Sequence, residues 1–432
     1  MEDEPELAYK ILADLAKDFP DDGKPLYLLG RLHARADRHA EALAIFERCS
    51  RLNAKQKAVW NSMGQVLTEM GKHAAGREAF QKSIALKPEA LFFANVASTY
   101  LSEGNPVESL RWCKKALAID PQHSGALANM GFAQLAVGDW TGWRNVEESL
   151  GGIFRKRMQF GEEGQWDLSR IADLIVYGEQ GLGDEIMYCS CLKDVGKMVD
   201  HVTVECDTRL GGLFTRSFPF AEIHATRRIE RDWSDDRVFG GSLAMGSMPS
   251  VVRPTRESCP RTPYLVADPE RRVQWRALFD LFKKPVIGLA WSGGNYRTGK
   301  SKRTVGIEAF RGLIQSNDAV FVSLQYKDPT EEIEASGLPI RHYRRATLTD
   351  DYDDTAGMVA ELDMVVGIHT TVHHLAGALG VPSVVLVPSV PLWCYQHGDR
   401  IPWYQSQMYH RQKRDESWQD CVNRIPKPLV PR

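Results

Sequence analysis

The sequence lacks the marks of several large protein classes. No apolar run approaches the ~20 residues that a membrane-spanning helix needs, and no apolar segment follows a basic start, so neither a membrane span nor a secretory leader is read. The eight cysteines are scattered; Cys189 and Cys191 form a C-x-C, but C-x-x-C is absent. That argues against a zinc framework or a disulfide scaffold, and points to a reduced, cytoplasmic chain whose cysteines pack as small apolar residues. Neither sign of charge dominates: 54 Lys and Arg stand against 56 Asp and Glu, net −2, which is no footprint for nucleic acid. What is present is an ordinary globular composition, 43% hydrophobic and 25% charged, over 432 residues. That length suits about two to three domains of roughly 100–200 residues.

The front of the chain repeats. "LYLLGRLHARADRHAEALAIFERC" (26–49) resembles "VWNSMGQVLTEMGKHAAGREAFQKS" (59–83), and Gly30, Gly64, Ala97 and Gly131 recur at spacings of 34, 33 and 34. Ala42 and Phe46 in one unit match Gly76 and Phe80 in the next, and Pro88 and Pro121 close two units. A helix pair with small residues at the contact and a closing proline resembles the tetratricopeptide repeat. Residues 1–150 are therefore read as a repeat array. "PELAYKILADLAKDFP" (5–20) fits a second helix without its first, either inside a longer array or as a degenerate cap. Such arrays offer a concave groove to a protein partner.

After about residue 150 the period stops. Residues 151–170 are polar and glycine-rich and read as a connector. Beyond them, short apolar runs alternate with helical patterns: 174–177, 201–206, 286–291, 319–326, 362–368 and 383–388. Runs of this kind imply βαβ units and parallel sheets. The proline-rich stretch 251–269 separates two doubly wound, Rossmann-like halves, 171–268 and 285–395, with a linker and helix at 269–284. A tail, 396–432, is expected to end in a helix packed back on the first half.

Two kinds of glycine turn follow these strands. "YGEQGLGDEI" (177–186) has the order G-x-x-G-x-G rather than G-x-G-x-x-G, and Asp184 stands where a P-loop needs lysine. Glu179, Asp184 and Glu185 would repel a pyrophosphate, and Glu185 is expected in solvent. "WSGGNYRTGKSKRT" (291–304) is the opposite: Ser292, Gly293 and Gly294 allow close backbone approach, and Arg297, Lys300, Lys302 and Arg303 supply cations suited to phosphate. "GIHTTVHHLAGALGVP" (367–382) places Thr370 and Thr371 at a helix start, with Gly380–Pro382 as its stop. His369 and His373 are four apart, as helical metal ligands can be, but H-E-x-x-H is absent and no metal is expected. Gln325 and Tyr326 end a strand, and Asp354–Thr355 start a helix; both are candidates to line a ligand pocket. Open parallel sheets bind ligands at the carboxyl ends of their strands.

As a set, "YGEQGLGDEIM", "PYLVADPERRVQWRALF", "IGLAWSGG", "FVSLQY", "DDTAGMVAELDMVVGIHTTVHHLAGALGVPSVVLVP" and "PWYQS" resemble bacterial tetratricopeptide proteins whose transferase domain is similar to the ADP-heptose heptosyltransferases (glycosyltransferase family 9). The resemblance spans nearly the whole chain and reaches proteins implicated in flagellin glycosylation. It implies a GT-B fold and an inverting, metal-independent glycosyltransferase. A nucleotide-sugar is then the donor substrate, held mainly by the second half, and no cofactor is needed. It carries the catalytic base over to Asp184, the donor-phosphate lysine to Lys302 with Arg303 beside it, and the diphosphate-binding turn to 369–374 with His374 at the matching histidine. Two positions depart from the pattern: relatives read D-T where this chain has His369–Thr370, and an arginine is replaced at Cys394.

The expected activity is sugar transfer to a protein side-chain hydroxyl presented through the repeats. Two other readings remain at this point: a repeat scaffold whose transferase-like domain no longer turns over, and a nucleotide-sugar epimerase on the same fold.

Overall fold

The computed structural model describes residues 3–151, 155, 157, 158, 160, 164–227, 233, 237–293, 304–390, 401–427 and 429. The chain divides into two compact units, Met1–Phe154 and Arg155–Arg432.

The first unit is helical. A single helix, α1 (Asp3–Asp18), precedes four antiparallel pairs: α2 (Gly23–Arg35) with α3 (His39–Leu52), α4 (Lys57–Glu69) with α5 (His73–Leu86), α6 (Ala90–Ser102) with α7 (Pro106–Ile119), and α8 (Ser124–Ala136) with α9 (Gly142–Glu148). Side-chain caps start several of them. Asp22 accepts from Lys24 N–H at 2.9 Å, and Asn105 accepts from Glu108 N–H at 3.1 Å ahead of a proline at the first helical position. The recurring small residues serve packing. A Cβ at Gly30 would stand 2.6 Å from the Phe46 ring, and one at Gly64 would stand 2.6 Å from the Phe80 ring. Where the third pair has Ala97, the matching residue shrinks to Cys113, and both are fully buried. A slightly larger residue on the first helix of that pair thus goes with a smaller one on the second.

The second unit is α/β with two all-parallel sheets. The first sheet runs β1 (Asp173–Tyr177), α10 (Leu182–Tyr188), α11 (Leu192–Val195), β2 (His201–Asp207), α12 (Gly211–Ser217), β3 (Glu222–Arg227), β4 (Gly241–Ala244) and α13 (Met248–Val252). Its strand order is β3-β2-β1-β4. After α14 (Pro269–Asp280) come β5 (Val286–Ala290), α15 (Arg311–Gln315), β6 (Val320–Ser323), α16 (Thr330–Ser336), β7 (Ile340–Arg341), α17 (Arg344–Thr347) and α18 (Tyr352–Ala360). β8 (Met364–Ile368), α19 (Thr371–Leu379), β9 (Ser383–Val387), β10 (Gln407–Arg411) and α20 (Trp418–Asn423) complete the unit. The second sheet's order is β10-β9-β8-β5-β6-β7.

β5, β8 and β9 are almost wholly buried, as strands covered on both faces must be. Four strands fall outside the apolar runs of the sequence: β3, β4, β7 and β10. All four are sheet edges. An edge strand has one hydrogen-bonded neighbour and tolerates polar side chains, so "EIHATR" and "QMYHR" carry no continuous apolar signal. The tail also departs from expectation. Its helix α20 packs on the second half, not the first, because β10 joins the second sheet beside β9 and carries Val422, Ile425 and Leu429 into that sheet's core. Part of the connector is likewise built in: Trp166 is buried, and its backbone N–H donates to Ser242 O of β4.

Candidate functional site

The turn after β1 holds three carboxylates, and each has a different environment. Glu179 lies 3.1 Å from Arg155 Nε, with side chains 1% and 3% exposed. Arg155 also donates to Ser247 Oγ at 2.8 Å, which ties this turn to the one after β4. Gly246 makes room: a Cβ there would stand 2.6 Å from Glu179 Oε1.

Glu185, expected in solvent from the sequence, is instead buried beneath Gly178, where a Cβ would approach its Oε1 to 2.4 Å. Its Oε2 accepts from Asp207 N–H at 2.8 Å, and Arg227 Nε lies 2.5 Å from its Oε1. Arg227 further donates to Gln180 O at 2.7 Å and to Asp207 Oδ2 at 2.8 Å. Burial pushes the Glu185 carboxyl up to about 8 against the opposing Arg227 charge. Burial alone would also raise Asp207; hydrogen bonds from Arg209 hold it below its ordinary value instead.

Asp184 has the third environment. Its Oδ2 accepts from Gly181 N–H at 3.0 Å, so the loop backbone orients it at the first turn of α10. Glu179 and Glu185 are thus engaged by buried arginines, and Asp184 is the acid whose orientation the glycine loop sets.

The second sheet contributes three turns. After β5, Gly293 lies under Thr370: a Cβ on Gly293 would come within 2.2 Å of Thr370 Cγ2. Gln325, past the end of β6, brackets Ser292; its amide oxygen accepts from Ser292 Oγ at 2.5 Å and its NH2 donates to Ser292 O at 3.0 Å. Tyr326 follows, 53% exposed. After β8, Thr370 is the N-cap of α19, in extended conformation and without a side-chain cap bond, and Thr371 opens the helix. Gly380, at φ 82, closes it. Gly294, Lys302 and Arg303, with Arg297, Lys300 and Cys394, lie outside the described residues.

The two sheets meet at these turns. A Cβ on Gly183 would lie 3.2 Å from Thr371 Oγ1 and 3.2 Å from His374 Cδ2. Gly183, Thr371, His374, Thr370 and Gly293 therefore form one continuous junction at the carboxyl ends of β1, β5 and β8.

The three histidines separate. His373 points away from the junction: its Nε2 bonds Gly367 O at 2.9 Å, and burial lowers it to about 3, so it is neutral. His369 and His374 pack ring to ring, 4.4 Å apart and nearly perpendicular. His373 thus points elsewhere than His369, and among the described residues no group of three or more His, Cys, Asp or Glu is placed to hold a metal ion. Asp354 is taken by structure: it accepts from Trp275 Nε1 at 2.9 Å, and Thr355 donates to Ala346 O at 2.6 Å.

The sequence reading assigned no role to Arg155, Arg227, Tyr264 or Tyr404. His374 Nδ1 lies 3.0 Å from Tyr404 OH, which lies 3.5 Å from Tyr264 OH, which donates to Ile186 O of α10 at 2.6 Å. Tyr404 is fully buried on α19 over Gly377, where a Cβ would stand 2.4 Å from its ring. "PWYQS" pointed to this segment without showing what it touches.

The first unit carries tetratricopeptide repeats: residues 4–52 and 61–124 match the model of that repeat family. Along 98% of its length the chain is 28% identical to Protein FlbA of Caulobacter vibrioides, covering 76% of that protein. Solved structures similar to the chain include YrrB, a TPR protein with an unusual peptide-binding site (14% identity, TM-score 0.28, 32% of this chain and 74% of YrrB). MamA from Desulfovibrio magneticus RS-1, solved from residue 41 to its end, is another (20% identity, TM-score 0.31, 34% of this chain and 83% of that solved chain). Among the described residues no helix is long and apolar enough to cross a membrane.

Proposed function

We propose that residues 155–432 are a GT-B, metal-independent inverting glycosyltransferase, and that the repeats bind a protein acceptor. The observation that carries this reading is the junction: the acidic turn of one parallel sheet lies against the helix start of the other, at Gly183, Thr371 and His374. A nucleotide-sugar lies with its diphosphate at the α19 start, near Thr370, Thr371 and the Ser292–Gly293 turn, where free helix N–H groups favour anions. Lys302 and Arg303 supply cations to the leaving diphosphate. The acceptor hydroxyl attacks the anomeric carbon, the bond from that carbon to the diphosphate oxygen breaks, and the hydroxyl proton passes to Asp184. Stabilising charge on the leaving group is commonly the largest catalytic contribution; base assistance adds about 10²–10⁴-fold.

The test is a thermal-shift panel of UDP, GDP, ADP, CDP and CMP, followed by transfer assays with the sugar donor of whichever nucleotide binds. Asp184→Asn abolishes transfer and leaves nucleotide binding intact. Transfer at near-normal rate in that variant overturns the assignment of the base.

One observation favours a second reading. His369 is buried against His374 at the start of the turn where the resemblance expects an acid. If that filling closes the donor site, the domain is a non-catalytic part of a scaffold, and no nucleotide in the panel shifts the melting temperature.

A further inference from the structure

We infer that Arg216 is a positioning residue: its guanidinium clasps the two parallel-sheet halves together and so holds the acidic turn against the α19 start. The clasp stands on geometry alone; its consequence for sugar transfer rests on the proposed function.

Arg216 lies in the last turn of α12, which follows β2 in the first half. Its three nitrogens reach three residues outside that half's sheet. Nη2 donates to Asp353 Oδ1 in the first turn of α18, in the second half. Nη1 lies 3.5 Å from Asp268 Oδ2, and Nε donates to Val266 O at 2.8 Å, both in the segment that joins the halves. Each charge stands at the helix end that favours it, the cation at a C-terminus and the anion at an N-terminus. The Arg216 and Asp353 side chains are 23% and 15% exposed, so water screens them less than it screens a surface pair. Gly212 lets α12 come close: a Cβ there would stand 2.3 Å from Asp353 Oδ2. Asp268 is fixed as well. Its Oδ1 accepts from the N–H groups of Glu270 and Arg271, both at 3.0 Å, and so caps α14, which packs on α18.

What the clasp controls follows from where it sits. The junction of Gly183 with Thr371 and His374 joins α10 to α19. Tyr264 braces the same two helices: its hydroxyl donates to Ile186 O at 2.6 Å and its N–H to Ala378 O at 2.9 Å. Contacts along one pair of helices leave the bodies that carry them free to swing about that pair. Arg216 stands off that line, on α12 and α18. It also holds the carbonyl of Val266, whose N–H donates to Ser217 Oγ at 2.9 Å, so the joining segment is sewn to α12 at the same place. The end of β2, from which α12 leads, is in turn bound to the acidic turn, since Arg227 donates to both Asp207 and Gln180 O. Without the clasp the first half swings on α10 and α19, and the acidic turn moves off the α19 start.

The test is hydrogen exchange read by mass spectrometry on the full chain, with Arg216→Gln, Asp353→Asn and the double variant. Exchange of 182–188 in α10 and of 370–375 at the α19 start rises about fivefold, the equivalent of an ion pair at the upper end of the surface range, while β2 and β5 keep their protection. The single variants match each other and the double variant adds nothing, because either removal opens the same clasp. Arg216→Lys, which keeps the charge, restores part of the protection. No rise at α10 and α19 in Asp353→Asn overturns the inference. A rise spread evenly over β2 and β5 also overturns it, since that marks loss of the fold rather than opening. So does a rise seen only in Arg216→Gln and confined to 262–268, which makes the arginine a local support of the joining segment. Asp353→Asn then reads the consequence for transfer. Its affinity for UDP, GDP or ADP, whichever binds the wild type, is unchanged, and kcat with the corresponding sugar donor falls about fivefold. An unchanged kcat overturns the positioning role. Absence of transfer by the wild type counts against the proposed function instead, and the exchange pattern still decides the clasp.

Discussion

Arg227 Nε lies 2.5 Å from Glu185 Oε1 in a site from which solvent is nearly absent. The pair roots the acidic turn to the ends of β2 and β3, since the same guanidinium holds Gln180 O and Asp207. Its pH dependence has a definite sign. Burial raises the folded carboxyl from 4.5 to about 8. Between those values the folded chain holds a proton that the unfolded chain has released, so stability falls as pH rises through this window. Glu185→Gln carries no such proton. Unfolding by denaturant at a series of pH values shows the wild type losing stability relative to the variant from about pH 5 to pH 8. Parallel curves sink the assignment.

Arg155 and Glu179 make a second buried pair in the same turn. Removing one partner leaves an uncompensated charge, at a cost of about 3–5 kcal/mol. Arg155→Met should therefore destabilise the second unit severely, and Glu179→Gln on the Arg155→Met background should recover much of the loss. Denaturant titration monitored by tryptophan fluorescence measures both. A single variant within about 0.5 kcal/mol of wild type, the usual scatter of surface substitutions, would show that the pair is not buried in solution.

The two arginine pairs also show where sequence reading ends. The repeat period was legible because the same contact, a small residue against Phe46 or Phe80, recurs every 34 residues. The central strands were legible because burial on both faces demands unbroken runs such as "VIGLA". The four edge strands carry no such demand. In the site, Gly178–Gly183 and Thr370–Thr371 stood out as a glycine turn and a helix cap, which are local features. Which acid of "YGEQGLGDEI" takes an arginine is not local: Arg155 precedes the turn by 24 residues, and Arg227 follows Glu185 by 42. Tyr404 reaches His374 from 30 residues away. A buried arginine looks like a surface one until the fold brings its carboxylate.

In the repeats, the complementarity of Gly64 and Phe80 makes a testable pair. A methyl group at Gly64 would press on the Phe80 ring, which is 1% exposed and has no room to retreat. Gly64→Ala should cost about 1–3 kcal/mol by overpacking. Phe80→Leu added to it should restore part of that cost, as the natural pairing of Ala97 with Cys113 suggests. The double-mutant cycle yields a favourable coupling between the two substitutions. Additive effects show that the crossing is loose.

At the proposed donor site the tightest contact is between Gly293 and Thr370, and it separates a packing effect from a chemical one. A Cβ at Gly293 would stand 2.2 Å from Thr370 Cγ2 and 3.3 Å from its Cβ. Gly293→Ala must push the N-cap of α19 away from the β5 turn, and both belong to the surface on which the diphosphate is proposed to sit. An overpacking strain of about 1–3 kcal/mol, expressed in binding, weakens nucleoside diphosphate affinity by about tenfold or more. Thr370→Ser removes the clashing methyl and keeps the hydroxyl, so Gly293→Ala with Thr370→Ser should return affinity close to that of Thr370→Ser alone. Calorimetric titration with the nucleoside diphosphate that shifts the melting temperature reads all four proteins. Should Gly293→Ala bind as the wild type does, the α19 start is not the diphosphate site, whatever the activity of the domain.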